Sequence, residues 1–174
     1  DRSGKVLLYD IYGEEKREIV TLNQVPERLK QAVISAEDAN FYRHFGIDAK
    51  AIIRAIISDL KIGGPAQGAS TISQQLIRSS FLTREKTLKR KIREIILTIE
   101  LERKYSKDQI LEFYLNQIPF GSNAYGVGSA SQTYFNKPVS ELTLTETALL
   151  AALIRSPSYL SPFGDHKDEL FARK

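Results

Sequence analysis

Residues 83–116 read TREKTLKRKIREIILTIELERKYSKDQILEFYLN. Leu88, Ile92, Ile95, Ile96 and Ile99 recur at helical spacing, which predicts a long helix from Thr83 to about Tyr105. Ser106 followed by Gln109 has the form of a capping box, so a second helix opens there through ILEFYLN. On the N-terminal side, Thr71 with Gln74 makes another box that opens SQQLIRSS, and GGPAQG (63–68) cannot continue a helix and predicts a mobile loop. DAKAIIRAIISDLKI (48–62) reads as an apolar helix. Pro26, a first-turn residue, begins a helix carrying Leu29, Ala32, Val33 and Ala36 that ends before Gly46. On the C-terminal side, PFGSNAYGVGSASQTYFN (119–136) reads as part loop and part small-residue helix. Thr143 with Glu146 then caps TALLAALI, apolar on nearly every side and therefore buried, with Pro157 and Pro162 beyond it. Only Lys5 to Leu22, rich in Val, Ile, Leu and Tyr with Gly13 near its middle, predicts a β-hairpin. The expectation is one mainly α domain, residues 1–174, with a small β appendage. Both ends read like mid-protein sequence, as in a piece of a longer chain.

Composition narrows the function classes. A chain of 174 residues can bury one sizeable core. Its 25 basic and 21 acidic residues leave +4, and REKTLKRK (84–91) holds much of the excess. Such a run is usually a solvated helix face; otherwise it suits nucleic acid, lipid headgroups or a phosphorylated substrate. With no cysteine there is neither a disulfide nor a cysteine-held metal, and two histidines, His44 and His166, argue against a multi-histidine metal site. No apolar run approaches the roughly 20 residues that span a bilayer.

Two carboxylates stand out. Glu37 falls at the edge of the Leu29–Val33–Ala36 stripe, one turn after Val33 and near a helix C-terminus, where the dipole opposes negative charge. A carboxylate so placed suits proton transfer, although a solvated Glu37 beside Asp38 is the blander reading. Glu94 points away from the isoleucine stripe, in line with Leu97 and Leu101, with Arg90 and Lys91 one turn upstream. It is either a carboxylate held in a cleft or half of an exposed Arg90–Glu94 pair. Two semi-buried glutamates from different helices match glycosyl chemistry. If a pyrophosphate leaves, cations such as Arg78, Lys91 and Arg93 can hold its charge.

EDANFYRHFG (37–46) resembles the first signature of glycosyltransferase family 51, the peptidoglycan glycosyltransferases. GASTISQQLIRS (68–79), RKIRE (90–94), KDQILEFYLN (107–116) and LTLTETALLAALIRSP (142–157) resemble the other four, in the family's order. Ala69, Ser73, Arg78 and Ser79 depart from the second motif's commoner residues while keeping size and charge. The resemblance implies a lysozyme-like, mainly helical fold with a smaller jaw lobe (about 47–83) that dips into the outer leaflet of the cytoplasmic membrane. It implies that lipid II and the growing glycan chain are the substrates, that Glu37 is the base, and that Glu94 assists at the donor side through a divalent ion or by orienting cations. Arg54, Ser70, Gln74, Gln75, Arg78, Lys91 and Arg93 fall on substrate-binding positions; Asp38 and Phe41 shape the first motif, and His44 is structural. No cofactor is required by it, a Mg or Mn ion being the one option. It further implies no nucleic-acid partner, the periplasmic or extracellular face of the membrane, an anchoring helix outside this chain, and a parent that can carry a transpeptidase domain. The rivals are a lytic transglycosylase or lysozyme-like muramidase, and a non-enzymatic binder of nucleic acid or membranes through Arg84 to Arg93.

Overall fold

The computed structural model describes residues 16–62, 70–82, 87–160, and residues 162, 164, 168, 169 and 172. Seven helices account for most of the described chain: α1 (Glu27–Glu37), α2 (Ala49–Ile62), α3 (Ile72–Phe81), α4 (Leu88–Lys104), α5 (Lys107–Gln117), α6 (Gly126–Phe135) and α7 (Leu144–Leu153). The domain is therefore mainly α. Among the described residues no helix is long and apolar enough to cross a membrane.

Three of the helix starts form as their sequences dictate. Thr71, Ser106 and Thr143 each accept from the amide three residues on, and Gln74, Gln109 and Glu146 reach back to the cap amide. Each such cap contributes about 1 kcal/mol and fixes where its helix begins. The α4 start differs from expectation. Thr87, in extended conformation, is the cap and accepts from the Arg90 amide, so the helix opens at Leu88; residues 83–86 lie outside the described part.

The core is assembled where α1 packs along α7 and where α3 packs on α4 and α5. Leu29, Phe41, Ile72, Ile110, Leu111, Tyr114, Leu115, Phe120, Leu150 and Leu153 are fully buried in it. The α7 helix is buried over its second half, Leu149 to Leu153, while Leu144 and Thr145 at its start are exposed. On α1, Leu29 and Val33 are inside, whereas Ala36 faces solvent, so the stripe is shorter than its spacing suggested.

On helix α4 much of the isoleucine stripe faces outward and the Glu94 face is buried. Leu88, Ile92 and Ile96 are 78%, 51% and 56% exposed, and the buried positions are Glu94, Thr98 and Glu102. These three recur every four residues, so they share one face. Burying carboxylates demands partners, and each has them: Arg90 and Lys91 on Glu94, Lys107 and Ser73 on Glu102. Periodicity found the helix, but polar pairing chose which side faces the protein.

Most of the predicted hairpin, Lys5 to Leu22, falls on residues outside the described part, as does loop 63–68, and Leu22–Gln24 forms a 3₁₀ turn. Strand β1 (Lys16–Arg17) pairs in parallel with β3 (Ala124–Tyr125), which pairs antiparallel with β2 (Pro119–Gly121) across a bulge. The β2–β3 hairpin was not expected from the sequence. Its turn places Ser122 (φ 48°) and Asn123 (φ 59°) in the left-handed region, the backbone that two-residue hairpin turns of type I′ require. The N-terminal strand is held down by α5: Asn116 Oδ1 accepts from the Val20 amide at 2.9 Å, and its Nδ2 donates to the Val20 carbonyl at 2.8 Å.

Candidate active site

Glu37 is the last residue of α1, and Asp38 caps that helix. Asp38 is buried; its Oδ2 accepts from the Ile72 amide at 3.1 Å, and both oxygens lie within 3.0 Å of His44 Nε2. Facing a carboxylate, Nε2 is the protonated nitrogen. The pair thereby ties the end of α1 to the start of α3, and His44 is structural, as its motif suggested. His44 Nδ1 is buried and has no partner among the described residues.

Glu37 itself is half-buried. Gln75 Nε2 donates to its Oε2 at 2.9 Å, while Gln75 Oε1 accepts from the Tyr114 hydroxyl at 3.1 Å. Tyr114 is fully buried; burial, then the nearby Glu37 charge, pushes its phenol well above its ordinary range. It therefore remains a neutral donor, which fixes which end of the Gln75 amide meets Glu37. Glu37 Oε1 has no partner among the described residues.

A cavity of about 490 Å³ opens beside Glu37, lined also by Asp38, Arg54, Ser70, Gln75 and Arg78. Six predicted site residues are thus brought together from α1, α2, the α3 approach and α3 itself. Asp48, just before α2, lies at the same cavity; the Ala51 amide and then Asn40 hold its carboxyl below the usual range. Its acceptor capacity is spent on fixing the α2 start.

Other predicted residues sit elsewhere. Gln74 is buried, with its Oε1 on the Thr71 amide at 3.1 Å, so it caps α3 and does not face the cavity. Phe41 is fully buried beneath Lys107, whose ammonium lies 4.5 Å from the ring centroid. Glu94, Lys91 and Arg93 are not among the residues lining this cavity. The Glu94 side chain is 0% exposed; its Oε2 accepts from Arg90 at 2.8 Å, and Lys91 contacts Oε1. The Arg90–Glu94 pair of the blander reading exists, but it is buried and not exposed. Arg93 is exposed. Both Glu94 oxygens are taken by cations, and no metal-binding group of three His, Cys, Asp or Glu side chains occurs among the described residues. With both oxygens so paired, that donor set does not fit a divalent ion held by the protein.

Tyr114, behind the cavity, and Arg155, in its lining, were not singled out in the sequence. Tyr114 reaches the site only through Gln75, and Arg155, immediately after α7, lines it directly. The signal for Arg155 was its place in the fifth motif, LTLTETALLAALIRSP (142–157).

The family model described as Transglycosylase matches residues 4–174. Penicillin-binding protein 1F of Bacillus subtilis (strain 168) is 51% identical over 148 residues, 85% of this chain and 21% of that protein. Penicillin-binding protein 1A of Aquifex aeolicus (strain VF5) is 51% identical over 156 residues, covering 90% and 22% respectively. Penicillin-binding protein 1A of Neisseria gonorrhoeae is 47% identical over 152 residues, 87% of this chain and 19% of its own. The chain spans about a fifth of the length of these relatives. It belongs to the transglycosylase family, the glycosyltransferases of peptidoglycan synthesis.

Proposed function

We propose that this domain polymerises lipid II into glycan strands by inverting transfer, with Glu37 as the general base. The observation that carries the reading is the asymmetry of the Glu37 carboxylate: Oε2 is held by Gln75, itself anchored by Tyr114, and Oε1 is left toward a cavity rich in arginine. Oε1 takes the proton from the 4-hydroxyl of the acceptor sugar. The oxygen forms its bond to the donor's anomeric carbon as the bond from that carbon to the lipid pyrophosphate breaks, and the pyrophosphate departs as an anion. No acid is needed for such a leaving group when guanidinium groups meet its charge. Arg54 and Arg78 serve that purpose here. Glu94 acts on the donor side by holding Arg90 and Lys91 in one geometry.

A membrane surface is the second proposed partner. Ile53, Phe81, Leu88, Ile92 and Ile96 are exposed apolar side chains, with exposed Lys89 and Arg93 on α4. An apolar face rimmed by cations is what an anionic leaflet recruits. A transpeptidase domain in the parent chain is proposed on the same family grounds.

A lytic enzyme would need no arginine-lined cavity, because no pyrophosphate leaves. Polymerisation of labelled lipid II decides the matter, comparing wild type with Glu37→Gln and Glu94→Gln. Loss of a general base costs on the order of 10²–10⁴-fold, so Glu37→Gln should make almost no polymer while melting normally. Full activity in Glu37→Gln, or release of muropeptides from soluble glycan without lipid II, would overturn the proposal.

A further inference from the structure

A further cavity, of about 440 Å³, lies along α1, and the reaction proposed above makes no use of it. Leu22, Asn23, Gln31, Ile34, Tyr42 and Asp108 line it. Its floor is α1 itself: Glu27, Gln31 and Ile34 follow one another at helical spacing, and Ser35 lines both this cavity and the one at Glu37. Between Glu27 and Ser35 the helix advances about 12 Å. The two cavities therefore run end to end along one helix, and the shared end is the one that carries Glu37.

The walls are fixed by contacts between distant elements. Tyr42, in the 3₁₀ turn Phe41–Arg43, donates its phenol proton to Asp108 Oδ1 of the first α5 turn at 2.9 Å. Burial, then that carboxylate, pushes the phenol up to about 12, so it remains a donor and the ring stays pinned. The turn that carries Leu22 and Asn23 is tied to α5 as well, because Glu112 Oε2 accepts from the Leu22 amide at 2.6 Å. The shape is thus set before any ligand arrives.

The lining selects against a phosphate. Its one cation, Lys30, is spent on Glu27 at 2.7 Å, and Gln31 Nε2 also donates to that carboxylate at 3.3 Å. What remains is an interleaved set of donors and acceptors: the Asn23 amide, the Gln31 carbonyl, the Ser35 hydroxyl and Asp108 Oδ2. Beside them stand Leu22, Ile34 and the Tyr42 ring, which is 54% exposed. Such a surface suits a neutral ligand whose hydroxyls each donate and accept and whose ring presents an apolar C–H face, which describes a saccharide.

We infer that this cleft is a saccharide subsite for the growing glycan strand, holding sugars already joined to the one that reacts at Glu37. The inference rests on the lipid II reading for the strand, and on the cleft itself for the sugar. A polymerase has to place the sugars behind its reacting carbon, and α1 offers a continuous path for them away from Glu37.

The test separates strand from monomer, using Tyr42→Ala and the double variant Asn23→Ala with Gln31→Ala in the whole chain. Asn23 and Gln31 are exposed, so the double variant should melt as the wild type does. It carries the test alone if Tyr42→Ala, which also breaks the tie to Asp108, fails to fold. The binding probe is a lipid-free tetrasaccharide of the glycan repeat without stem peptides, titrated by NMR. Its affinity should fall about tenfold in each variant. With labelled lipid II, joining of the first two units should proceed at the wild-type rate, while mean strand length falls severalfold. Wild-type affinity and strand length in the variants would overturn the inference. So would a wild type that binds the tetrasaccharide only with stem peptides attached, because the cleft would then be reading peptide. If the wild type makes no polymer but binds the tetrasaccharide in a Gln31-dependent way, the subsite stands and the polymerase reading falls.

Discussion

Gly46→Ala tests how tightly the first motif is locked to α4. Gly46 has φ +76°, where an L-residue costs about 1–2 kcal/mol. A Cβ there would lie 2.7 Å from Thr98 Cγ2 and 2.9 Å from Glu102 Cγ. Neither neighbour can swing away: Thr98 Oγ1 is bonded to the Glu94 carbonyl at 2.7 Å, and Glu102 is held by Ser73 and Lys107. Overpacking of this kind costs about 1–3 kcal/mol, giving a total of about 2–5 kcal/mol. For a domain of this size the melting temperature should fall by on the order of 10 °C. The clash has a named partner, so Thr98→Ser, which removes Cγ2 and keeps the hydroxyl, should return part of the loss. Differential scanning calorimetry of the two single variants and the double variant measures that coupling. If the double variant is destabilised by the full sum of the singles, the steric account is refuted.

Tyr114→Phe removes the hydroxyl that anchors Gln75, so stability should drop by about 1 kcal/mol and kcat by several-fold at unchanged KM. An unchanged kcat in a lipid II assay would show that Gln75 needs no such anchor. Glu146 has its carboxyl held down at about 2, against an ordinary 4.5, by Lys137 and then by the Thr143 amide. A depressed carboxylate stabilises the fold above pH 4.5 and loses that contribution as pH falls toward 2. Urea midpoints should therefore decline across this window in the wild type, and less in Glu146→Gln, which keeps the cap but not the charge; parallel curves would contradict the assignment.

What the sequence conveyed was the information that is local in the chain. Thr71, Ser106 and Thr143 announced their helices because a capping box closes within four residues. Which face of α4 is buried was not legible from periodicity, because Glu102 is held by partners on other elements, Ser73 of α3 and Lys107 of α5. The Ser122–Asn123 hairpin was missed because its strands are two and three residues long, too short for any alternation to show. The motif residues around Glu37 were legible as a resemblance, and the structure gathers Glu37, Asp38, Arg54, Ser70, Gln75 and Arg78 at one cavity. Gln74 belongs to the same motif yet turns inward, since consecutive helical residues point about 100° apart. Tyr114 was invisible because its relation to Gln75 spans 39 positions.

The clasp between Val20 and Asn116 joins residues 96 positions apart, and β1 finds its partner only at β3. A ribosome delivers the chain in the opposite sense to its assembly. When residues 16–22 emerge, their partners have not been made, and their backbone amides stay solvated until the hairpin is complete. Closing so long a loop is slow, so residues 16–22 dock among the last. During synthesis the helices between must then hold together without this clasp, and a pause before residue 125 would leave residues 16–22 available to whatever assists the nascent chain.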